Sequence, residues 1–171
     1  MLPLSACNGQ RGAPDEASAP AAGPASPAPP AAAGADPHSF ARPDHVGVSH
    51  LDLDLAVDFD RRALVGTATL TLDRWSDAGR VVFDTRDLDV HGVTLIGGAG
   101  GEALASHTFG DEVPYLGRSL TIQIQADTRA VRVAYATRPE AAALQWLTPE
   151  QTAGGQQPFL FTQSQSILAR T

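Results

Sequence analysis

The chain has 171 residues, a formal net charge of −7, twelve basic residues that are all arginine, and one cysteine. An acidic chain without a basic run cannot neutralise a phosphate backbone, which excludes nucleic acid as a partner class. The single Cys7 excludes an internal disulfide, and no apolar run approaches the roughly 18 residues of a membrane-spanning helix.

The N-terminal end divides from the rest by composition. Residues 1–7 end in Leu4-Ser5-Ala6-Cys7, which resembles the lipobox of bacterial lipoproteins, where the cysteine is lipidated. Met1 to Leu4 supply neither the basic nor the apolar region of a signal peptide. On the lipoprotein reading the true start therefore lies upstream; on the other, Cys7 is a free thiol in a tail. Between Ala13 and Ala35, eleven residues are Ala and six are Pro. Such a stretch buries too little apolar area to offset backbone ordering, about 1–2 kcal/mol per residue. Residues 8–44 are thus expected to form a disordered Ala/Pro-rich tether, which would hold the domain clear of a membrane if Cys7 carries lipid. That places the protein in the cell envelope, or in the cytoplasm if Cys7 is a plain thiol.

Residues 45–171 carry the folding signal. Leu51 to Asp60 alternates apolar and acidic residues and predicts a half-buried strand. Asp60 to Ala63 turns the chain, and Leu64 to Leu72 alternates again, with Thr67, Thr69 and Thr71 on one face; the pair predicts an antiparallel hairpin. Further strands are expected at Arg80–Thr85, Leu88–Ile96, Glu102–Phe109, Leu120–Ile124 and Val131–Tyr135, with a Gly-rich loop at Gly97–Gly101. Only Pro139 to Leu144 suggests a helical turn. Many short strands between turn signals predict an all-β domain, a saddle-like two-sheet sandwich.

Few residues suggest chemistry. Asp52, Asp54, Asp58 and Asp60 share one strand face; a calcium site needs a loop that bends around the ion, so a solvated outer face is the better reading. The five histidines show no metal-ligand spacing, and no HExxH is present. Gly97–Gly101 lacks the Lys-Ser/Thr of a phosphate-binding loop. The end of the chain is different. In Phe159-Leu160-Phe161-Thr162-Gln163-Ser164-Gln165, a strand would put Gln163 and Gln165 on one face.

The block Ala143-Leu144-Gln145-Trp146-Leu147-Thr148-Pro149-Glu150-Gln151-Thr152, followed by Pro158 to Gln165, resembles the N-terminal domain of peptidase family M1, the zinc gluzincin aminopeptidases. Within the family it looks most like the leukotriene-A hydrolase branch. The resemblance extends back through Val81 to Leu88 and the hairpin from His50 to Leu72. It implies a saddle-shaped β-domain packed on a thermolysin-like catalytic domain that holds the zinc. It also implies that Gln165 helps hold the N-terminal residue of a peptide substrate and that Gln163 lines the pocket for its side chain. Many members have Glu where this chain has Gln165; the neutral amide offers an acceptor and a donor in place of a full charge.

Two functions follow as expectations. In the first, the chain is the N-terminal β-domain of a zinc aminopeptidase, cut off after Thr171. It lacks the zinc half, is inactive alone, binds no metal itself and has the absent catalytic domain as its partner. In the second it is a non-enzymatic, envelope-tethered sandwich that binds a partner. The resemblance also implies an apolar face, with Phe159, Phe161, Ile167 and Leu168, that a catalytic domain would cover.

Overall fold

The computed structural model describes residues 36–163. They form ten strands and one short 3-10 turn. The strands are β1 (Val46–Asp58), β2 (Ala63–Arg74), β3 (Arg80–Thr85), β4 (Leu88–Gly97), β5 (Glu102–Leu104), β6 (His107–Phe109), β7 (Arg118–Gln123), β8 (Thr128–Thr137), β9 (Leu144–Leu147) and β10 (Phe159–Thr162). All pairings are antiparallel. They build a five-stranded sheet in the order β1-β2-β8-β4-β5, a three-stranded sheet β3-β7-β6 and the hairpin β10-β9. The expected all-β sandwich is therefore the fold.

The two larger sheets share one core. Leu70 and Leu72 of β2, Val93 and Leu95 of β4, and Val131 and Val133 of β8 pack with Val81 and Phe83 of β3 and Leu120 and Ile122 of β7. Every one of these positions comes from a period-two alternation, which turns alternate side chains to one face of the sheet. Leu120, Ile122 and Val131 are at most 1% exposed.

β1 departs from expectation. Its register sets Leu51, Leu53, Leu55 and Val57 opposite Leu70, Ala68, Gly66 and Leu64, on the core-side face of the sheet. Yet Leu51, Leu53 and Val57 are 41%, 55% and 46% exposed, so the strand is not half-buried. The reason is geometric: among the described residues, the core shared with the three-stranded sheet takes in β2, β8 and β4 but reaches β1 only at Val46. β2 crosses β1 closely at Gly66, where a Cβ would collide with the Asp54 carbonyl oxygen, so only glycine fits.

Two other expectations change. The strand expected over Glu102–Phe109 is two strands on different sheets, β5 paired with β4 and β6 paired with β7. Between them the chain steps across the sandwich, with Ala105 N–H donating to the Val93 carbonyl and Ser106 carbonyl accepting from Gln123 N–H. Pro139 to Leu144 forms successive turns rather than a helix, closed by Ala141 N–H to Arg138 and Leu144 N–H to Ala141.

The end of the expected tether is also part of the domain. Asp84, 7% exposed on β3, accepts hydrogen bonds from the Ser39 hydroxyl at 2.6 Å and from Phe40 N–H at 2.7 Å. A buried carboxylate needs such partners, and here they pin residues 39–40 to the small sheet. The domain thus takes in Ser39 and Phe40, ahead of residue 45. The remainder of 8–44, up to residue 35, lies outside the described residues, as does Cys7.

Candidate functional site

The block from Ala143 to Gln163 folds as one hairpin. β9 and β10 pair as Leu147↔Phe159, Trp146↔Leu160, Gln145↔Phe161 and Leu144↔Thr162. Its loop is held by Thr148-Pro149-Glu150-Gln151: Thr148 N–H donates to Gln151 Oε1 at 2.9 Å, and Gln151 N–H donates to the Thr148 carbonyl at 3.0 Å. The Thr152 hydroxyl lies 2.8 Å from both the Pro149 and the Gln157 carbonyls. Gly154 and Gly155 follow at φ +88° and +61°, a left-handed backbone that disfavours larger residues. The Thr148 hydroxyl and the backbone hold the Glu150 carboxyl below its ordinary range. The Thr-Pro-Glu-Gln-Thr string is thus a self-bonded turn, which explains the residue types without any ligand.

Trp146 ties the hairpin to the rest of the domain. Its ring meets Phe59, just past the end of β1, edge to face with centroids 5.8 Å apart. Beside this contact lies an open recess of about 150 Å³ lined by Phe59, Arg62, Trp146, Leu147, Thr148, Pro149 and Pro158. Sequence reasoning missed this recess. Its signal was the apolar alternation of the first strand running on through Phe59, opposite a Trp far along the chain.

Gln163 sits at the other end of the hairpin. Its N–H donates to the Ala143 carbonyl at 3.1 Å, extending the ladder by one step, and the residue is exposed. By alternation it shares a face with Phe159 and Phe161, which are 53% and 49% exposed. The hairpin register separates the recess, at the Leu147–Phe159 end, from Gln163, at the Leu144–Thr162 end. Gln165, Ile167 and Leu168 lie outside the described residues, so the expected Gln163–Gln165 face is described only at its first member.

Among the described residues, no three His, Cys, Asp or Glu side chains converge where they could hold a metal ion. The described histidines are dispersed: His45 lies beside Asp44, His50 beside Asp52 at 3.2 Å, and His107 stacks edge-on against Phe109. These residues do not fit a zinc centre, and no chemical step is assigned to them.

Comparison with known proteins gives the same placement. No protein-family model matches the chain. It is 34% identical over 139 residues to leucine aminopeptidase 2 of Yarrowia lipolytica, covering 80% of the chain and 21% of that protein. It is 35% identical over 143 residues to leukotriene A-4 hydrolase of Xenopus laevis, covering 80% of the chain and 23% of that protein. Among solved structures, native yeast LTA4 hydrolase superposes with a TM-score of 0.71 at 29% identity, covering 83% of the chain and 22% of that structure. The chain thus spans about a fifth of the length of the relatives it matches.

The fold and the hairpin block together define a β-domain of the type that stands at the N-terminus of peptidase family M1 proteins. Within that family the homologues are leukotriene A-4 hydrolase and leucine aminopeptidase 2.

Proposed function

We propose that the chain serves as the N-terminal β-domain of a zinc aminopeptidase that removes N-terminal residues from peptides. The observation that carries this reading is the β9–β10 hairpin: the block most like the M1 family forms a self-bonded unit and leads to an exposed Gln163. On this reading the zinc, its ligands and the general base belong to a catalytic domain, where zinc would polarise the scissile carbonyl and activate water. The β-domain contributes position. Gln165 holds the N-terminal residue of the peptide through its amide, accepting from the ammonium group, and Gln163 forms part of the wall against the first side chain. The exposed rings of Phe159 and Phe161 supply an apolar face for the catalytic domain to cover.

The test is an exchange of domains. The chain replaces the corresponding β-domain of a leukotriene A-4 hydrolase, and hydrolysis of aminoacyl-nitroanilides is measured. Gln165→Ala is expected to raise KM about tenfold with a smaller change in kcat, the size of one lost hydrogen bond to a charged group. Gln163→Ala should reorder the preference among first side chains. An unchanged KM for Gln165→Ala removes that residue from the site.

Anchoring through Cys7 is a separate proposal, supported by the Ala/Pro composition that follows it. It puts the protein at the cell envelope. An N-terminal peptide beginning at Cys7 and carrying a large added mass supports it; an unmodified peptide beginning at Met1 in the soluble fraction removes it. The envelope-tethered binding module without an enzymatic role gains ground if the domain exchange yields a folded but inactive protein.

A further inference from the structure

Among the described residues, the two-stranded sheet β10-β9 hydrogen-bonds to neither larger sheet, and none of its side chains belongs to the core those sheets share. A two-stranded hairpin is marginal by itself in water and needs packing against other structure. Such packing is described at Phe59, whose ring meets Trp146 edge to face with centroids 5.8 Å apart. In the same corner Arg62 shares a recess with Thr148 and Pro149 of the hairpin loop. The β1–β2 turn is therefore where the hairpin leans on the rest of the domain.

That turn is itself held. The Asp58 carboxylate accepts from Arg61 N–H at 2.9 Å, and Arg62 takes a left-handed backbone at φ +52°. Ala63 is 4% exposed, and Leu64 N–H donates at 2.9 Å to the hydroxyl of Thr137, the last residue of β8. The next residue, Arg138, begins a second connection. Its N–H donates to the Asp87 carbonyl at 2.9 Å, and successive turns through Ala141, 7% exposed, lead into β9. β9 is thus attached to the end of β8 twice, by the chain that precedes it and by the ring contact at Trp146. The Ala143 carbonyl, which accepts from Gln163 N–H at 3.1 Å, lies between those attachments. Two attachments fix the direction of a short strand, whereas one leaves it free to pivot.

We propose that Phe59 is a positioning residue for the substrate contacts carried by the hairpin: through Trp146 it holds the ladder step that bears Gln163. This inference rests on the role proposed for Gln163 and Gln165. Phe59 touches no substrate on this account. Its ring sets the direction of the hairpin, so its loss weakens binding of the peptide's first residue without slowing turnover. The contact is made entirely by described residues and persists whatever polypeptide adjoins the hairpin. An edge-to-face pair of this kind is worth about two- to tenfold in an equilibrium, beyond the area it buries.

The test has two arms. In the full 171-residue chain, hydrogen exchange is compared for Phe59→Leu and Phe59→Tyr. Phe59→Leu should speed exchange of the β9–β10 amides, Gln163 included, about two- to tenfold while Ile122 and Val131 stay unchanged. Phe59→Tyr keeps the ring and should restore the parent rates. In the domain exchange with a leukotriene A-4 hydrolase, Phe59→Leu should raise KM by about the same factor at unchanged kcat. It should raise KM no further in the presence of Gln165→Ala, because both changes then act on one interaction. Unchanged β9–β10 exchange overturns the proposal, as does equal acceleration at Ile122 or a KM effect that adds in full to that of Gln165→Ala. A KM unmoved by Gln165→Ala overturns the substrate reading instead, and the exchange arm still decides whether Phe59 holds the hairpin.

Discussion

The two sides of the five-stranded sheet carry the same sequence pattern and meet different fates. On β8, Val131 and Val133 alternate with polar neighbours and are 0% and 7% exposed; on β1, Leu51 and Leu53 alternate with aspartates and are 41% and 55% exposed. Period two determines which side chains share a face, but burial requires a second layer above that face. The small sheet β3-β7-β6 supplies that layer over β2, β8 and β4. Among the described residues, β1 enters that core only at Val46, and just past its far end Phe59 meets Trp146 of the β9–β10 hairpin. The covered half holds the packed core of the domain, and the open half leaves Leu51, Leu53 and Val57 of β1 exposed.

Substitution on the two halves separates them most widely. Ile122→Ala, at a position 0% exposed, should cost about 2–5 kcal/mol, since the cavity left in a two-sheet core cannot fully collapse. Leu53→Ala, at 55% exposed, should cost less than about 1 kcal/mol. Urea unfolding at constant m-value measures both. Comparable losses at the two sites would mean that β1 is covered after all.

A smaller effect is expected where the N-terminal segment joins the covered half. Asp84→Ala removes the acceptor for the Ser39 hydroxyl and for Phe40 N–H, and should cost about 1–3 kcal/mol. Faster exchange at Phe40 than at Val131 would show that the loss is local release of residues 39–40 as well as general destabilisation.

The smallest effect belongs to the hairpin turn. Glu150 has its carboxyl pKa lowered by the Thr148 hydroxyl, so the ionised form is favoured in the folded state. That contribution is fully present above the unfolded-state value of 4.5 and is lost as pH falls through the lower folded value. Thr148→Ala should therefore reduce the acid sensitivity of β9–β10 exchange and leave exchange at neutral pH nearly unchanged in its pH slope. The same slope in both proteins would separate Glu150 from the turn's stability.

Much of this architecture was legible in the sequence because alternation is a local property. The strands expected at Leu51–Asp60, Leu64–Leu72, Leu120–Ile124 and Val131–Tyr135 follow from side-chain period alone. What was not legible depends on partners distant in the chain. Whether Leu53 is covered depends on how far the small sheet reaches. The split of 102–109 depends on two different sheets receiving three residues each, with Ala105 and Ser106 between them carrying no turn signal. Asp84 holding Ser39 and Phe40 joins positions more than forty residues apart. For the candidate site, the block from Ala143 to Gln163 was recognisable by its residue types, and the hairpin shows why several of them are there: Thr148, Gln151 and Thr152 bond one another and the local backbone. Gln163 joins that bonding only through its backbone N–H and is exposed, as are Gln145, Gln156, Phe159 and Phe161 of the same block.

The proposed division of labour is tested most directly by metal analysis together with peptidase assay of the purified 171-residue chain. The account predicts zinc well below one equivalent after dialysis and no release of nitroaniline from aminoacyl-nitroanilides above the buffer rate. Stoichiometric zinc accompanied by amino-acid release would contradict it, because the reacting centre would then lie within this chain.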